Sequence, residues 1–140
     1  MPELIDLSAQ AAYAYLQTTP NSILIDIRST SEFMFVGHPT DAVHIAWLDE
    51  PDWEINPDFV PTIKRLLESR CKGVNPYQDV SIILICRSGK RSYEAGYALI
   101  EAGFAQVMHV HEGFEGVLDN KRQRSTVNGW RFQGLPWEQS

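Results

Sequence analysis

The chain has 140 residues, of which 44% are hydrophobic and 21% charged, so it can build one compact core and we expect a single domain over residues 1–140. A formal net charge of −6 argues against a nucleic-acid partner, because phosphate recognition requires a basic surface. Two cysteines are too few for a disulfide framework, and the sequence shows no signal peptide and no membrane-spanning apolar run, so we expect a cytoplasmic protein with reduced thiols and no membrane contact.

Hydrophobic periodicity predicts alternating helices and strands. Ser8 suits an N-cap, Ser29 and Glu32 form a capping-box pattern, and Asn56 with Pro57 suits the start of another helix. The strand candidates are continuous, apolar and rich in branched residues, which indicates burial on both faces. The predicted helices span 9–18, 29–36, 56–70 and 93–103, and the predicted strands span 22–27, 42–46, 80–85 and 107–110.

This order predicts an α/β domain with a mainly parallel central sheet and helices on both faces. After the last predicted strand the chain becomes polar and irregular, yet it still carries Trp130, Phe132, Leu135 and Trp137. Large apolar side chains of this kind tend to pack against a protein core rather than stay in water. We therefore expect the irregular segment 119–140 to pack on the domain.

Cys86 ends the most hydrophobic predicted strand, and only small and basic residues follow it. In an open parallel sheet, ligands bind beyond the carboxyl ends of the strands. The next helix begins at about Arg91 or Ser92, so a tight loop containing Ser88 and Gly89 can aim its backbone N–H groups at the thiol. Such a setting favours a thiolate over an inert core thiol, and Cys86 is predicted to be a nucleophile.

The spacing of Arg91 from Cys86 separates two chemistries. Tyrosine-phosphatase-like enzymes place the arginine six positions after the cysteine, whereas here it comes at five. The shorter loop resembles the active-site loop of rhodanese-family sulfurtransferases, and the stretches "LIDIRSTSEFMFVGHPTDAVHI" and "CRSGKRSYEAGYALIEAGFAQVMHVHEGFEG" are similar to the family's two signatures. Outside the loop, the matching positions are Asp26, Arg28, Glu32, Phe33, Gly37, His38, Ala42, Gly103, Phe104, Val107 and Gly113.

The sequence departs from the family pattern at three places. Pro39-Thr40-Asp41 replaces an apolar residue followed by Pro-Gly, and Glu112 replaces the first of two glycines. Glu112, Phe114 and Glu115 are expected at the rim of the family's pocket, where they would affect the choice of substrate. The basic segment 119–126 resembles an insertion, which is either a docking surface or a solvated loop.

The resemblance implies sulfane-sulfur transfer without an organic cofactor or metal. The Cys86 thiolate would attack the outer sulfur of thiosulfate or a similar donor, and the resulting persulfide would pass sulfur to a thiol, cyanide or a protein acceptor. The backbone N–H groups from Arg87 to Ser92, including those of Ser88 and Gly89, would stabilise the persulfide anion. Arg87 and Lys90 would recruit the anionic donor, while Arg91 would either contact substrate or pair with a carboxylate.

Two alternatives to a small-molecule enzyme remain open. The chain could be a sulfur-relay carrier that delivers persulfide sulfur to one protein partner, with segment 119–126 and the tail aromatics as its docking face. A phosphatase or arsenate reductase is disfavoured by the short loop.

The remaining polar residues of the pattern are expected to have structural roles. Asp26 and Arg28 should brace the loop by an ion pair, because a buried carboxylate needs such a partner. Cys71 is expected to be a bystander, with a resolving or relay cysteine as the alternative. His38 should bond within its own turn, and no cysteine stands at metal-ligand spacing from His44, His109 or His111.

Overall fold

The computed structural model describes residues 3–140, and all element bounds below refer to that range. Predicted strand and helix segments appear in the expected order, with three short strands added. The strands are β1 (Ile5–Leu7), β2 (Ser22–Asp26), β3 (His38–Pro39), β4 (Val43–His44), β5 (Ser81–Ile85), β6 (Val107–Val110) and β7 (Trp137–Glu138); the helices are α1 (Ala9–Thr18), α2 (Phe59–Arg70) and α3 (Lys90–Glu101), and Glu32–Val36 is a π-helical turn.

Five strands form one parallel sheet in the order β1-β6-β5-β2-β4. The remaining two, β3 and β7, pair antiparallel and lie outside this sheet. The predicted α/β class with a mainly parallel central sheet is therefore confirmed. Since β5 lies in the middle of the sheet, the residues that follow it emerge at the centre of one sheet edge.

Side chains alternate between the two faces of the sheet, as the pleat of a strand requires. Along β5, Ile82 and Leu84 pack with α2 and α3, and Cys86 continues this set. Ile83 and Ile85 point to the opposite face, where they pack with α1. Helices thus cover both faces, as predicted, and the thiol lies on the side of α3.

The start of α2 differs from the prediction. The helix begins at Phe59, and Asn56 is not its N-cap. The Asn56 side chain instead accepts a hydrogen bond from the Asp58 N–H (2.9 Å) and donates one to the Ala46 carbonyl (3.1 Å), which fixes a turn ahead of the helix. A side-chain hydrogen bond to a nearby backbone group has replaced the expected first helical turn.

The predicted capping box at Ser29 and Glu32 does form. The Ser29 hydroxyl accepts from the Glu32 N–H (3.2 Å), and the Glu32 carboxylate accepts from the Ser29 N–H (3.2 Å). The turn that follows is π-helical rather than α-helical and ends at Gly37.

The C-terminal segment folds back over the α1 face of the sheet. Trp130 is buried, and its indole N–H donates to the Pro136 carbonyl at 2.9 Å. At the end of the segment, β7 pairs with β3, so the tail is not wholly irregular. Within residues 3–140 no helix is both long and apolar enough to cross a membrane.

Candidate active site

Cys86 directly follows β5 and is buried at the N-terminus of α3. Its Sγ accepts hydrogen bonds from the Gly89 N–H at 3.1 Å and from the Ser92 N–H at 3.4 Å. The Ser92 hydroxyl oxygen lies 3.4 Å from the same sulfur. The loop therefore places at least two backbone donors around the sulfur, an arrangement that stabilises negative charge there.

Two glycines make this tight loop possible. Gly89 has φ +101°, and a Cβ atom there would overlap the carbonyl oxygen of His111. Gly113 has φ +70°, and a Cβ atom there would overlap the Arg87 carbonyl. Because the loop packs on the backbone that follows β6, its shape depends on both segments.

A buried ion pair supports the loop from the other face of the sheet. Arg28 Nη2 lies 2.7 Å from Asp26 Oδ2, and both side chains are fully buried. The guanidinium lies 4.5 Å from the centre of the Phe114 ring, and the Phe114 N–H donates to the Cys86 carbonyl at 2.8 Å. The pair expected between Asp26 and Arg28 is present, and it reaches the loop through Phe114.

Arg91 forms a two-point ion pair with Glu32, at 2.7 and 3.0 Å. Burial alone raises the pKa of Glu32, but the hydrogen bonds and charge of Arg91, with the hydrogen bonds of Ser29, hold that pKa at about 2. Of the two roles open to Arg91 from the sequence, the structure contains the pairing with a carboxylate.

A cleft of about 660 Å³ borders the loop. Arg87 is exposed at its wall, Lys90 is exposed at the start of α3, and neither has an ion-pair partner among residues 3–140. Ser88 is half-buried between them. The cleft is lined by Ser29, Ser31, Glu32, Val36, Leu48, Glu50, Trp53, Arg87, Arg91, Glu115 and Arg124.

Arg124 brings the basic segment 119–126 into the cleft wall. Its guanidinium donates to the Gly116 carbonyl at 2.8 Å, and burial together with the nearby charge of Arg87 lowers its pKa. The segment is organised by Asp119, whose carboxylate accepts from the backbone N–H groups of Lys121 and Gln123. Its sequence alone did not distinguish Arg124 from its exposed basic neighbours.

Glu112 lies away from the cleft, contrary to the expected place at the pocket rim. Its carboxylate is buried and accepts from the Ala9 N–H (2.7 Å), at the start of α1, and from the Gly129 N–H (2.6 Å). Although burial raises its pKa, these hydrogen bonds lower it overall. Phe114 is buried as well, and Glu115 alone of the three expected rim residues lines the cleft.

The other sequence candidates occupy separate positions. Cys71 is a free, half-buried thiol that caps the C-terminal end of α2. His38 bonds the Phe33 carbonyl at 2.8 Å, as expected for its turn, and His44 bonds the Arg28 carbonyl at 2.7 Å. Among the described residues, no group of three or more His, Cys, Asp or Glu side chains could hold a metal ion.

Two residues that connect to the loop were not predicted from the sequence. His109 on β6 reaches the Ser92 hydroxyl, and Asp6 on β1 reaches His109. Asp6 and His109 are neighbours only because β1 and β6 pair in register. No local pattern in the sequence indicates this contact.

The fold and the loop define an α/β domain that holds a buried cysteine at the junction of a parallel strand and a helix. The sequence profile of the Rhodanese-like domain family matches residues 5–120. The chain belongs to this family, which is of the sulfurtransferase type, and its rhodanese fold is the one that the sequence predicted.

Solved structures agree with this assignment. The Rv0390 protein of M. tuberculosis is 33% identical, with a TM-score of 0.77 and coverage of 96% of this chain and 97% of that one. A polysulfide-sulfur transferase from Wolinella succinogenes is 23% identical (TM-score 0.59, coverage 98% and 80%). A Rhodopseudomonas palustris protein of unknown function, described as a possible tyrosine phosphatase, is 18% identical (TM-score 0.58, coverage 96% and 85%). At these identities, the last two structures show only that the fold is the same.

Proposed function

We propose that the protein is a thiosulfate sulfurtransferase that carries sulfane sulfur as a persulfide on Cys86. Thiosulfate or a similar donor would supply the sulfur, and a thiol, cyanide or a protein would accept it. A cytoplasmic setting, in which Cys86 and Cys71 stay reduced, is part of the proposal.

The observation that carries the proposal is the hydrogen bonding of Cys86 Sγ by the Gly89 and Ser92 N–H groups. Donors fixed in a buried site stabilise charge without reorganisation, as they would on the Cys86 thiolate that attacks the sulfur donor and leaves again when sulfur is passed on. The loop is one residue shorter than a phosphatase loop, so its ring of amides suits a sulfur anion better than a tetrahedral oxyanion. The N–H groups of Gly89 and Ser92 are therefore assigned to stabilising the Cys86 sulfur, and the other N–H groups of the loop, Ser88 among them, to stabilising the outer sulfur of the persulfide.

Arg87 and Arg124 support an anionic donor, because two of the three carboxylates that line the cleft, those of Glu32 and Glu115, already pair with Arg91 and Arg131. Both arginines line the same cleft, and Lys90 is exposed at the start of α3. Because Arg91 is engaged with Glu32, we assign it to bracing the loop, and we assign donor recruitment to Arg87, Lys90 and Arg124. Asp26 and Arg28 complete the support.

Intact mass spectrometry after incubation with thiosulfate tests the proposal. We expect a gain of one sulfur atom that cyanide removes as thiocyanate. Cys86→Ser should abolish the gain, whereas Cys71→Ser, at a free thiol outside the loop, should retain it. Loss of the adduct in both variants would require a two-cysteine scheme instead.

Turnover distinguishes the remaining alternatives. Repeated thiocyanate production from thiosulfate and cyanide supports the enzyme, whereas a single sulfur load released only to a protein thiol supports a relay carrier. Phosphate release from an aryl phosphate, without a sulfur adduct, would contradict both and indicate a phosphatase.

A further inference from the structure

A chain of polar side chains leads from Cys86 to the edge of the sheet. Ser92 Oγ lies 3.4 Å from Cys86 Sγ and 2.8 Å from His109 Nδ1. On the far side of the ring, His109 Nε2 lies 2.6 Å from Asp6 Oδ1. Ser92 and His109 are buried, whereas the Asp6 side chain is 67% exposed. The buried sulfur is thus connected to a carboxylate at the surface.

The two ends of this chain fix the direction of its hydrogen bonds. An ionised Asp6 can only accept, so Nε2 of His109 carries a proton, and Nδ1 of the neutral ring is then an acceptor. The Ser92 hydroxyl can donate to Nδ1 while its lone pairs face the Cys86 S–H. The Gly89 carbonyl, 3.2 Å from the same hydroxyl, is the more distant acceptor.

We propose that Ser92, His109 and Asp6 form a proton relay that takes the thiol proton of Cys86 and holds it during attack on the sulfur donor. The identity of the donor comes from the proposed function, but the relay itself does not depend on it. Ser92 contacts the sulfur directly, His109 acts through Ser92, and Asp6 acts through His109, so His109 and Asp6 are positioning residues.

The proton and electron movements balance. As the thiol proton passes to Ser92 Oγ, the hydroxyl proton passes to His109 Nδ1, so a thiol and a neutral imidazole become a thiolate and an imidazolium. The thiolate electron pair forms a bond to the outer sulfur of thiosulfate, whose S–S bond breaks, and sulfite leaves with that bonding pair. When an acceptor removes the outer sulfur, Cys86 leaves as a thiolate and the imidazolium can return the proton.

The surroundings of His109 suit a base that is neutral at rest. Burial lowers its pKa, and Asp6 on β1 opposes that effect. His111, which directly follows β6, also lowers the pKa, and the Tyr93 ring on α3 lies 6.2 Å away edge-on. A cation formed on the ring would be stabilised by Asp6 on one side and by the Cys86 thiolate on the other.

The test measures the Cys86 thiolate directly in a Cys71→Ser background, without any sulfur donor. Ultraviolet thiolate absorbance and the rate of alkylation by iodoacetamide are followed against pH. In His109→Asn, which retains an acceptor but no titratable ring, we expect alkylation near neutral pH to fall about tenfold and its profile to move to higher pH, because the ion-paired partner is lost. In Asp6→Asn we expect about a threefold fall.

Glu3→Gln is the matched control, because it removes the same charge from an exposed position near Asp6 in the sequence. It should leave the alkylation profile unchanged. A His109→Asn or Asp6→Asn profile that overlays the background profile overturns the relay, as does an equal shift in Glu3→Gln. If circular dichroism shows that His109→Asn does not fold, Asp6→Asn decides, since its side chain is exposed. A shifted profile in a protein that takes no sulfur from thiosulfate would contradict the proposed function and support the relay.

Discussion

Three arginines line the cleft, of which Arg91 pairs with Glu32, whereas Arg87 and Arg124 form no ion pair within residues 3–140. Like charges placed together without a partner repel each other, and an anionic ligand relieves that repulsion. Arg87 comes from the cysteine loop and Arg124 from the basic segment 119–126, so part of that segment lines the cleft rather than only facing solvent. The charge of the cleft is thus assembled from two distant parts of the sequence.

Arg87→Ala and Arg124→Ala should each raise the KM for thiosulfate about fivefold and change kcat less, since these side chains attract the dianion without touching the transferred sulfur. Lys121→Ala is the control, because Lys121 is an exposed basic residue of the same segment that does not line the cleft. Steady-state kinetics at low and high salt check this. An unchanged KM in both arginine variants would remove their recruitment role.

Elements whose own residues are apolar and buried could be predicted from the sequence. Elements that exist only because they pair with a segment far away in the sequence could not. β5 consists only of buried residues, and its continuous apolar run marks it. β1 has three residues, two of them exposed, and exists only because it pairs with β6 about a hundred positions later. For the same reason Cys86 and its loop were predictable, whereas Asp6, His109 and Arg124 were not.

One glycine inserted between Gly89 and Lys90 would restore the phosphatase spacing and widen the ring of amides. Since preorganised donors act only while they stay within hydrogen-bond distance of the charge that they stabilise, we expect sulfur transfer to fall by about tenfold or more. Affinity for phosphate or arsenate should rise. Sulfurtransferase turnover and oxyanion inhibition check this on folded protein, and an insertion variant with full turnover and no oxyanion binding would refute the loop-length criterion.

Glu112 joins the start of α1 to the tail, so its replacement should affect stability and not substrate binding. In Glu112→Gln an amide N–H₂ group would face backbone donors that now meet a carboxylate, and we expect the free energy of unfolding to fall by about 2 kcal/mol. Ser8→Ala, which removes the hydroxyl acceptor of the same helix end, should cost about 1 kcal/mol. Urea unfolding measures both. A raised KM for thiosulfate in Glu112→Gln would instead indicate that this residue affects substrate binding, as its expected place at the pocket rim implied.

The whole molecule should lose stability in acid, and Glu32 contributes to that loss. Its folded-state pKa of about 2 lies below its ordinary value of 4.5, so folding stabilises the ionised carboxylate relative to the protonated one. The resulting stability is fully present above the ordinary value and is lost as the pH falls through it towards the folded value. Because the ion pair with Arg91 is partly exposed, we expect its contribution to be about 1–2 kcal/mol.

Glu32→Gln should therefore lower the Tm at neutral pH and flatten the decline of Tm between neutral and acidic pH. Glu68→Gln, at an exposed position on α2, serves as the control and should retain the wild-type slope. Thermal unfolding followed by circular dichroism over this pH range measures the slopes. Equal slopes in all three proteins would contradict the role of Glu32.

The pairing of β1 with β6 has a consequence for the order in which the protein is made. A ribosome releases β1 first, but its partner strand emerges only about a hundred residues later, after Cys86 and its loop. Until β6 and Phe114 have left the ribosome, the nascent Cys86 carbonyl lacks its donor and the first strand lacks its neighbour. Contacts this far apart in sequence form late. Cys86 is therefore synthesised before the segment that packs on its loop, and its thiol stays accessible to solvent until β6 and Phe114 have been made.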